Sequence, residues 1–192
     1  CNNCGLVFLE SFDHIDDVYY EDGDMWMGAD SHGEESIVSW RNESFNDDNR
    51  RMKFLKNEIV GKDVMDFGAG AAGFLHLIRD LSKSITAVDI DKKLHSMYME
   101  DDIPFYSELK YIPSDIKFDV ITSFHVIEHL KDPLSYIKEL SKYLKSNGKL
   151  FLEFPNGDDA LLTFYNSKEF SKFTYWGAHL MLFNGDNIQT LI

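Results

Sequence analysis

The fold of this protein is decided by residues 63–75, which read DVMDFGAGAAGFL. A short run of strand character leads into a glycine-rich turn, and an apolar helical stretch begins directly after the turn. Glycines at such a point let a ligand approach the backbone and meet the N-terminus of the helix. The stretch therefore predicts the first strand, turn and helix of a ligand-binding α/β unit.

Strand-like and helical runs continue to alternate after this turn. The predicted strands cover 63–67, 84–88, 103–106, 118–124 and 149–154, and the predicted helices cover 74–81, 92–99 and 134–144. Such alternation is typical of βαβ units with a parallel sheet. The predicted fold class is therefore α/β, a doubly wound and mostly parallel sheet with helices on both faces. We expect Asn147 and Gly148 to separate the last long helix from its strand, and Asp186 to cap a final helix.

The part of the chain before residue 63 reads differently. Residues 1–30 are rich in acidic and aromatic side chains without a sustained period, which predicts irregular structure, and a helix is predicted over 44–59 with Gly61 in a left-handed cap. We expect an N-terminal appendage over 1–43 and the α/β domain over 44–192. Because the sequence stops within a helical pattern, the domain is expected to be incomplete at its C-terminus.

The net charge of the protein disfavours some classes of binding partner. The 192 residues include 33 Asp and Glu against 19 Lys and Arg, for a formal net charge of -14. Such a field repels phosphate backbones and anionic membrane surfaces, so neither nucleic acid nor a membrane is expected as a partner. No apolar run approaches the ~20 residues that span a bilayer, and we expect a cytoplasmic protein.

Asp66 discriminates between two classes of ligand. Gly68, Gly70 and Gly73 match the dinucleotide fingerprint, but a carboxylate two residues before the first glycine would repel a bound pyrophosphate. A ligand that carries positive charge and no phosphate suits this position better. The second predicted strand ends at Asp89, whose carboxylate can accept hydrogen bonds from two ribose hydroxyls. An NAD(P)-binding oxidoreductase domain remains the alternative, because it shares the glycine turn and Asp89.

These motifs resemble those of the class I S-adenosylmethionine-dependent methyltransferases. The turn is similar to the family's acidic-x-Gly-x-Gly-x-Gly pattern, although Ala72 occupies the third glycine position and Gly73 comes one residue later. Residues 118–130, FDVITSFHVIEHL, resemble the fourth strand and following loop of the ubiquinone-biosynthesis O-methyltransferases. Residues 144–156 resemble their fifth strand and its approach. With Asp89, four motifs occur in the family's order.

The resemblance implies S-adenosylmethionine as the cofactor. The cofactor contacts that it implies are Asp66, Phe67, Gly68, Ala69, Gly70, Asp89, Ile90, Ser107, Glu108, Phe124 and His125. The implied reaction is transfer of the sulfonium methyl group to a small-molecule acceptor by O- or C-methylation, such as a sugar or another biosynthetic intermediate. A catalytically silent nucleotide-binding domain is the other alternative. The edge of the last predicted strand, if unpaired, favours a homodimer.

Two histidines follow the fourth predicted strand. We expect His129 to be the general base for a hydroxyl-type nucleophile and His125 to line the cofactor, with His125 as the alternative base, because imidazole titrates near neutral pH. Glu128 and His129 are alternatively hydrogen-bonded anchors of the loop. No metal is expected, although Glu128, His129 and His179 have side chains that can ligate one and the sequence leaves this open.

The only cysteines are Cys1 and Cys4, which are too few for a disulfide framework. Together they resemble the second half of a zinc ribbon that precedes the methyltransferase domain in some sugar C-methyltransferases. Two thiolates do not complete a tetrahedral zinc site, so the alternative is a pair of incidental cysteines.

Overall fold

A computed structural model describes residues 1, 4–15, 19–20 and 34–189. The chain divides into two compact units. Unit 1 is built from the described residues of Cys1–Ile15, Phe124–Glu139 and Leu152–Ile192, and unit 2 from those of Asp16–Ser123 and Leu140–Phe151. The predicted division between an appendage and a domain near residue 43 stays a prediction.

Most residues of a five-stranded sheet belong to unit 2, and the last residues of two of its strands, Phe124 and 152–153, are assigned to unit 1. The strands of the sheet are β2 (Asp63–Phe67), β3 (Ser84–Val88), β4 (Phe105–Tyr106), β5 (Phe118–Phe124) and β6 (Leu144–Glu153), in the order β4-β3-β2-β5-β6. Strand β2 pairs in parallel with both β3 and β5, and β4 pairs in parallel with β3. The predicted mostly parallel α/β sheet is therefore confirmed.

The strands of unit 2 form because their side chains are buried on both faces of the sheet, as is typical of parallel sheets. Val64 and Met65 in β2 are fully buried, as is Ile121 in β5. The core between the sheet and its covering segments also includes Val88, Leu109, Ile112, Phe118 and Leu140. Burial of each such side chain contributes about 1.5 to 3 kcal/mol.

Helices α1 (Glu34–Ile59), α2 (Gly73–Ile78) and α3 (His95–Glu100) belong to unit 2. Helix α1 packs against α2 and begins at Glu34 rather than at the predicted residue 44. The prediction missed this first part because it counted apolar positions only from Phe45 and left out Ile37 and Trp40. The predicted helix over 92–99 is a 3-10 turn, Lys92–Leu94, followed by α3.

The predicted turn at Asn147 and Gly148 is wrong. Helix α4 (Pro133–Lys142) ends before β6 begins at Leu144, and both residues lie within that strand. A Cβ at position 148 would lie 3.0 Å from the backbone oxygen of Phe118, a tight contact. Gly148 therefore serves a close backbone approach inside a strand, which is a second common use of glycine.

Unit 1 contains a second, two-stranded sheet. Strand β1 (Val7–Phe8) pairs antiparallel with β7 (Met181–Leu182), so part of the N-terminal stretch that was predicted to be irregular is a strand. The pairing partner lies more than 170 residues away, which a local pattern does not reveal. Unit 1 also contains helices α5 (Ala160–Thr163), α6 (Lys168–Thr174) and α7 (Gly185–Ile188).

The cap of helix α7 also differs from the prediction. Asn184 and not Asp186 is the N-cap, because the Asn184 side chain accepts hydrogen bonds from the backbone N–H groups of Asp186 and Asn187. The Asn184 backbone N–H in turn donates a hydrogen bond to Asn187 Oδ1 at 2.9 Å, which completes a capping box. Across the described residues, no helix is both long and apolar enough to cross a membrane.

Candidate functional site

Two hydrogen bonds hold the glycine turn after β2 against the end of β3. Gly68 N donates to Val88 O at 2.8 Å, and Ala69 N donates to the same oxygen at 3.3 Å. Gly68 and Gly70 have φ values of +78° and +51°, a region that favours glycine. The turn lies at the carboxyl ends of β2 and β3, the edge at which open parallel sheets bind ligands.

Asp89 connects the end of β3 to the turn. Its Oδ2 accepts a hydrogen bond from Gly70 N at 2.8 Å, and its Oδ1 accepts one from Asp91 N at 2.9 Å. Burial raises the pKa of Asp89 to about 6. Because a carboxylate oxygen has two lone pairs, Asp89 can still accept hydrogen bonds from the hydroxyls of a ligand.

Asp66 lies at the end of β2 and is almost completely buried, with 3% of its surface exposed. Its Oδ1 accepts a hydrogen bond from Thr122 Oγ1 of β5 at 2.7 Å. Burial is the main reason that the pKa of Asp66 is raised to about 7. A positive charge on a ligand would favour the ionised form of this carboxyl group.

The remaining predicted cofactor residues fall into both units. Ile90 follows Asp89 and is 39% exposed, and Ser107 and Glu108 are partly buried after β4. The carboxyl ends of three neighbouring strands of unit 2 therefore carry most of the predicted cofactor contacts, which are Asp66, Phe67, Gly68, Ala69, Gly70, Asp89, Ile90, Ser107 and Glu108. Phe124 and His125 belong to unit 1.

Helix α1 contributes residues that the sequence analysis did not identify. A Cβ at Gly70 would lie 2.8 Å from the ring of Trp40, so this glycine is needed for space as well as for its φ value. Arg41 Nε donates to Ala71 O at 2.6 Å. From helix α3, Tyr98 donates its hydroxyl hydrogen bond to Gly70 O at 2.7 Å. The turn is therefore held by side chains on both neighbouring helices.

A close contact with helix α1 explains why position 73, one residue after the third glycine position of the motif, is a glycine. A Cβ at this position would overlap with Asp48 Oδ2 in α1. Asp48 cannot easily move aside, because it is buried, pairs with Arg51 at 2.8 Å and accepts a hydrogen bond from Ser44 Oγ at 2.8 Å. These residues of α1 could have been identified from the sequence. The helical spacing of Trp40, Ser44, Asp48 and Arg51 places them on one face of a helix.

His125 begins the loop after β5 in a left-handed conformation, with φ +55°. Its backbone N donates to Glu153 O at 2.7 Å, and its Nδ1 lies 3.2 Å from Glu128 Oε1. Its Nε2 lies 3.4 Å from Glu153 Oε1. The ring therefore lies between two carboxylates. A strained backbone conformation of this kind persists only where the surrounding contacts hold it in place.

His129, His179 and Glu128 are buried together in unit 1. His129 Nδ1 lies 2.7 Å from Ala178 O, and His179 Nδ1 lies 2.8 Å from Thr174 O. Burial lowers the pKa of His129, so its ring is neutral at neutral pH. The assignment of a general base to this loop stays a prediction.

The two cysteines are exposed residues of unit 1. Gly5 N donates a hydrogen bond to Cys1 O at 3.0 Å. The half zinc ribbon stays a prediction.

Comparison with known sequences identifies relatives over most of this chain. A methyltransferase-domain family matches residues 39–192. A probable S-adenosylmethionine-dependent methyltransferase of Mycolicibacterium smegmatis is 28% identical over 126 residues, which are 60% of this chain and 49% of the relative. The ubiquinone biosynthesis O-methyltransferase of Coxiella burnetii is 28% identical over 111 residues, which are 53% and 47% of the two chains. This chain spans about half the length of these curated relatives.

Comparison with solved structures shows the same fold. The plantazolicin methyltransferase BpumL in complex with SAH superposes with a TM-score of 0.60 at 16% identity, over 85% of this chain and 69% of that one. The YcgJ protein of Bacillus subtilis superposes with a TM-score of 0.58 at 19% identity, over 74% and 66% of the two chains.

Proposed function

The chain belongs to the methyltransferase-domain family of class I S-adenosylmethionine-dependent methyltransferases, and from this we propose that it transfers the cofactor's sulfonium methyl group to a small-molecule acceptor. The family that the four motifs predicted is thereby confirmed. In the proposed reaction the bond between sulfur and the methyl carbon breaks while the acceptor's oxygen or carbon bonds to that methyl carbon. S-adenosylhomocysteine leaves, and the acceptor gives up a proton.

The observation that carries the cofactor assignment is the pair of carboxyl groups beside the glycine turn. Asp66 and Asp89 lie at the ends of adjacent strands, and Asp89 is hydrogen-bonded to the turn itself. S-adenosylmethionine offers an ammonium group, a sulfonium and two ribose hydroxyls, which are positive charges and donors. A pyrophosphate would instead be repelled by the Asp66 carboxylate, whereas Asp89 suits the ribose of either cofactor. The site therefore supports this cofactor over NAD(P).

Two observations support a small-molecule acceptor. The net charge of -14 disfavours an RNA or DNA substrate, because each phosphate would be repelled. The Coxiella relative is named for O-methylation in ubiquinone biosynthesis, which supports a hydroxyl-bearing acceptor here as well. We propose O-methylation as the first reaction to test and C-methylation as the second.

Calorimetry with S-adenosylhomocysteine tests the cofactor assignment. Asp89→Ala should weaken binding by about 1.5 to 3 kcal/mol, roughly 10- to 150-fold, because charge-assisted hydrogen bonds to the ribose are lost. Asp115→Ala is the matched control, since Asp115 is an exposed acid of the same unit and binding should not change. Absence of S-adenosylhomocysteine binding, or binding of NAD in its place, would contradict the proposal.

Transfer of a radiolabelled methyl group tests the acceptor. The chain is incubated with labelled cofactor and separate panels of phenols and catechols, hydroxylated sugars, RNA and peptides. Label is expected in one of the two small-molecule panels. Label that enters only RNA or peptide would show that the acceptor class is wrong while leaving the cofactor assignment intact.

A further inference from the structure

We propose that Glu128, His129 and His179 bind a divalent transition-metal ion in unit 1. Each residue offers one ligand atom, and these atoms all lie within 4.8 Å of one another. The inference concerns unit 1 alone and does not depend on the proposed methyl transfer.

The Glu128 carboxylate is the first reason to place a cation here. Its side chain is 0% exposed, and only one of its oxygens, Oε1, faces His125 Nδ1, at 3.2 Å. The other oxygen, Oε2, has no hydrogen-bond partner among the residues that the structure describes. A buried carboxylate oxygen left unsatisfied is costly, so such groups are normally paired or coordinate a metal. A bound cation would satisfy this atom.

The two imidazoles are held in the tautomer that ligates metals. His129 Nδ1 and His179 Nδ1 each lie within hydrogen-bonding distance of a backbone oxygen, that of Ala178 and that of Thr174. A carbonyl oxygen only accepts, so in both rings Nδ1 carries the proton and Nε2 carries the lone pair. Metal-ligating histidines almost always donate their other ring N–H in this way, which fixes the direction of the ligand nitrogen.

Backbone contacts bring the three ligands together although His179 is 50 residues from His129 in sequence. Leu180 N donates to Glu128 O at 2.8 Å, next to the contact between His129 and Ala178 O. These two hydrogen bonds join the 3-10 turn Ile127–His129 to the segment that carries His179. The cluster is therefore positioned by bonds that are independent of any ion.

Aromatic rings lie beside the two imidazoles of the cluster. Trp176 lies 6.1 Å from His129 and 5.6 Å from His179 between ring centroids, and Phe173 lies 5.8 Å from His179. The three ligand residues are themselves buried, and the low local dielectric strengthens the attraction between a cation and the Glu128 carboxylate.

The donor set selects the class of metal. Two imidazole nitrogens and one carboxylate oxygen suit Zn²⁺ or Co²⁺, whereas Mg²⁺ and Ca²⁺ prefer oxygen ligands. Zinc–ligand bonds of about 2.0–2.1 Å place tetrahedral ligands about 3.4 Å apart, so the three atoms would approach one another on binding. Three protein ligands leave a fourth position for water or another ligand. Because the ion would use the lone pair of His129 Nε2, this role excludes the role of His129 as a general base.

The test measures Zn²⁺ binding to the whole, untagged chain by calorimetry. Cys1 and Cys4 are also potential zinc ligands, so all measurements are made with Cys1→Ser and Cys4→Ser in place. One Zn²⁺ per chain is expected, and Co²⁺ should give the visible absorption bands of a tetrahedral or five-coordinate site. In thermal melts, Zn²⁺ should raise the unfolding temperature.

Two ligand variants and one control make the test specific. His179→Ala should weaken Zn²⁺ binding by roughly 100-fold or more, and Glu128→Gln by roughly tenfold or more, since losing even an outer-shell partner costs about 10- to 100-fold. His14→Ala should change nothing, because His14 is an exposed histidine of the same unit whose Nε2 lies 2.8 Å from Gly177 O, outside the cluster.

The variant Glu128→Gln keeps the size of the side chain and removes its charge, so it remains informative if His179→Ala fails to fold. Circular dichroism establishes folding for each variant. Absence of Zn²⁺ binding by the cysteine-free chain, equal Zn²⁺ affinity in that chain and in Glu128→Gln, or tighter binding of Mg²⁺ than of Zn²⁺ would each overturn the proposal.

Discussion

The glycine turn of unit 2 and the histidine cluster of unit 1 are built in opposite ways. The turn consists of consecutive residues, and most of its bonds involve backbone groups from Gly68 to Ala71. The cluster consists of side chains from two segments about 50 residues apart, and backbone oxygens serve only to orient the rings. A motif search finds the first kind of site, whereas the second is visible only in three dimensions.

Each of the two regions contains a buried carboxyl group, and the surroundings of the two groups differ. One oxygen of Asp66 accepts a hydrogen bond from Thr122, and burial raises the pKa of Asp66 to about 7. A proton can therefore neutralise this carboxyl group near physiological pH. Glu128 is buried between histidines and keeps one oxygen without a hydrogen-bond partner among the described residues. The comparison suggests a site for an organic cation in unit 2 and for a metal cation in unit 1.

The largest effect on stability is expected at the contact between the turn and helix α1. Gly73→Ala should lower the free energy of unfolding by about 2 to 3 kcal/mol, because the added methyl group overlaps with Asp48. Chemical denaturation measures the loss. In an Asp48→Ser background the same substitution should cost less than half as much, since the smaller side chain leaves room.

An equal cost of Gly73→Ala in both backgrounds would mean that the turn depends on its local backbone alone. In that case the glycine turn would depend on local residues alone, and it would differ from the histidine cluster even more than its contact with Asp48 indicates.

A second prediction concerns the pH dependence of S-adenosylhomocysteine binding. Binding should weaken roughly 10- to 100-fold from pH 7 to pH 5, because the raised pKa values of Asp66 and Asp89, about 7 and about 6, mean that both become protonated over this range. The sign follows from the ligand: its ammonium group stays charged and favours the ionised carboxylates, so affinity is highest above these pKa values and is lost below them. Calorimetry at several pH values measures the effect.

The control for this prediction is Asp66→Asn, which cannot ionise. Its affinity should be lower at pH 7 and should change less toward pH 5. A profile as steep as that of the unmodified chain would assign the pH dependence to Asp89 or to another group.

The smallest effect is expected at Ala72, the residue at the third glycine position. Its φ of +60° is unfavourable for a residue with a Cβ, but its methyl group is buried. In Ala72→Gly the relief of strain offsets the loss of the methyl group, so the free energy of unfolding should change by less than about 0.5 kcal/mol. Ala71→Gly is the control, and a loss of about 0.5 to 1 kcal/mol is expected there, because a buried methyl group is removed and Ala71 has no positive φ to relieve. Stabilisation by both variants would indicate a general gain from glycine in this turn.

Strand bounds were predictable where the strand is buried on both sides and a turn follows. Strands β2, β3 and β5 occur over the predicted residues, because runs rich in apolar and β-branched residues mark each one. Strand β6 begins five residues before the predicted 149, since Asn147 and Gly148 have the composition of a turn but lie in a strand that requires a glycine beside Phe118. The residue type indicates which backbone conformations are allowed, and contacts with the neighbouring strand decide which of them is adopted.

The sequence by itself determined the α/β class, the glycine turn, the acidic pair Asp66 and Asp89, and the methyltransferase family. Each of these was predicted from short segments of the chain, whose backbone geometry and charge follow from residue type. Only the tertiary structure decided that Trp40 and Asp48 pack against the turn, that β1 pairs with β7, and that His179 joins Glu128 and His129. Such contacts join distant segments, and they are set by the packing of the whole unit, which no local period encodes.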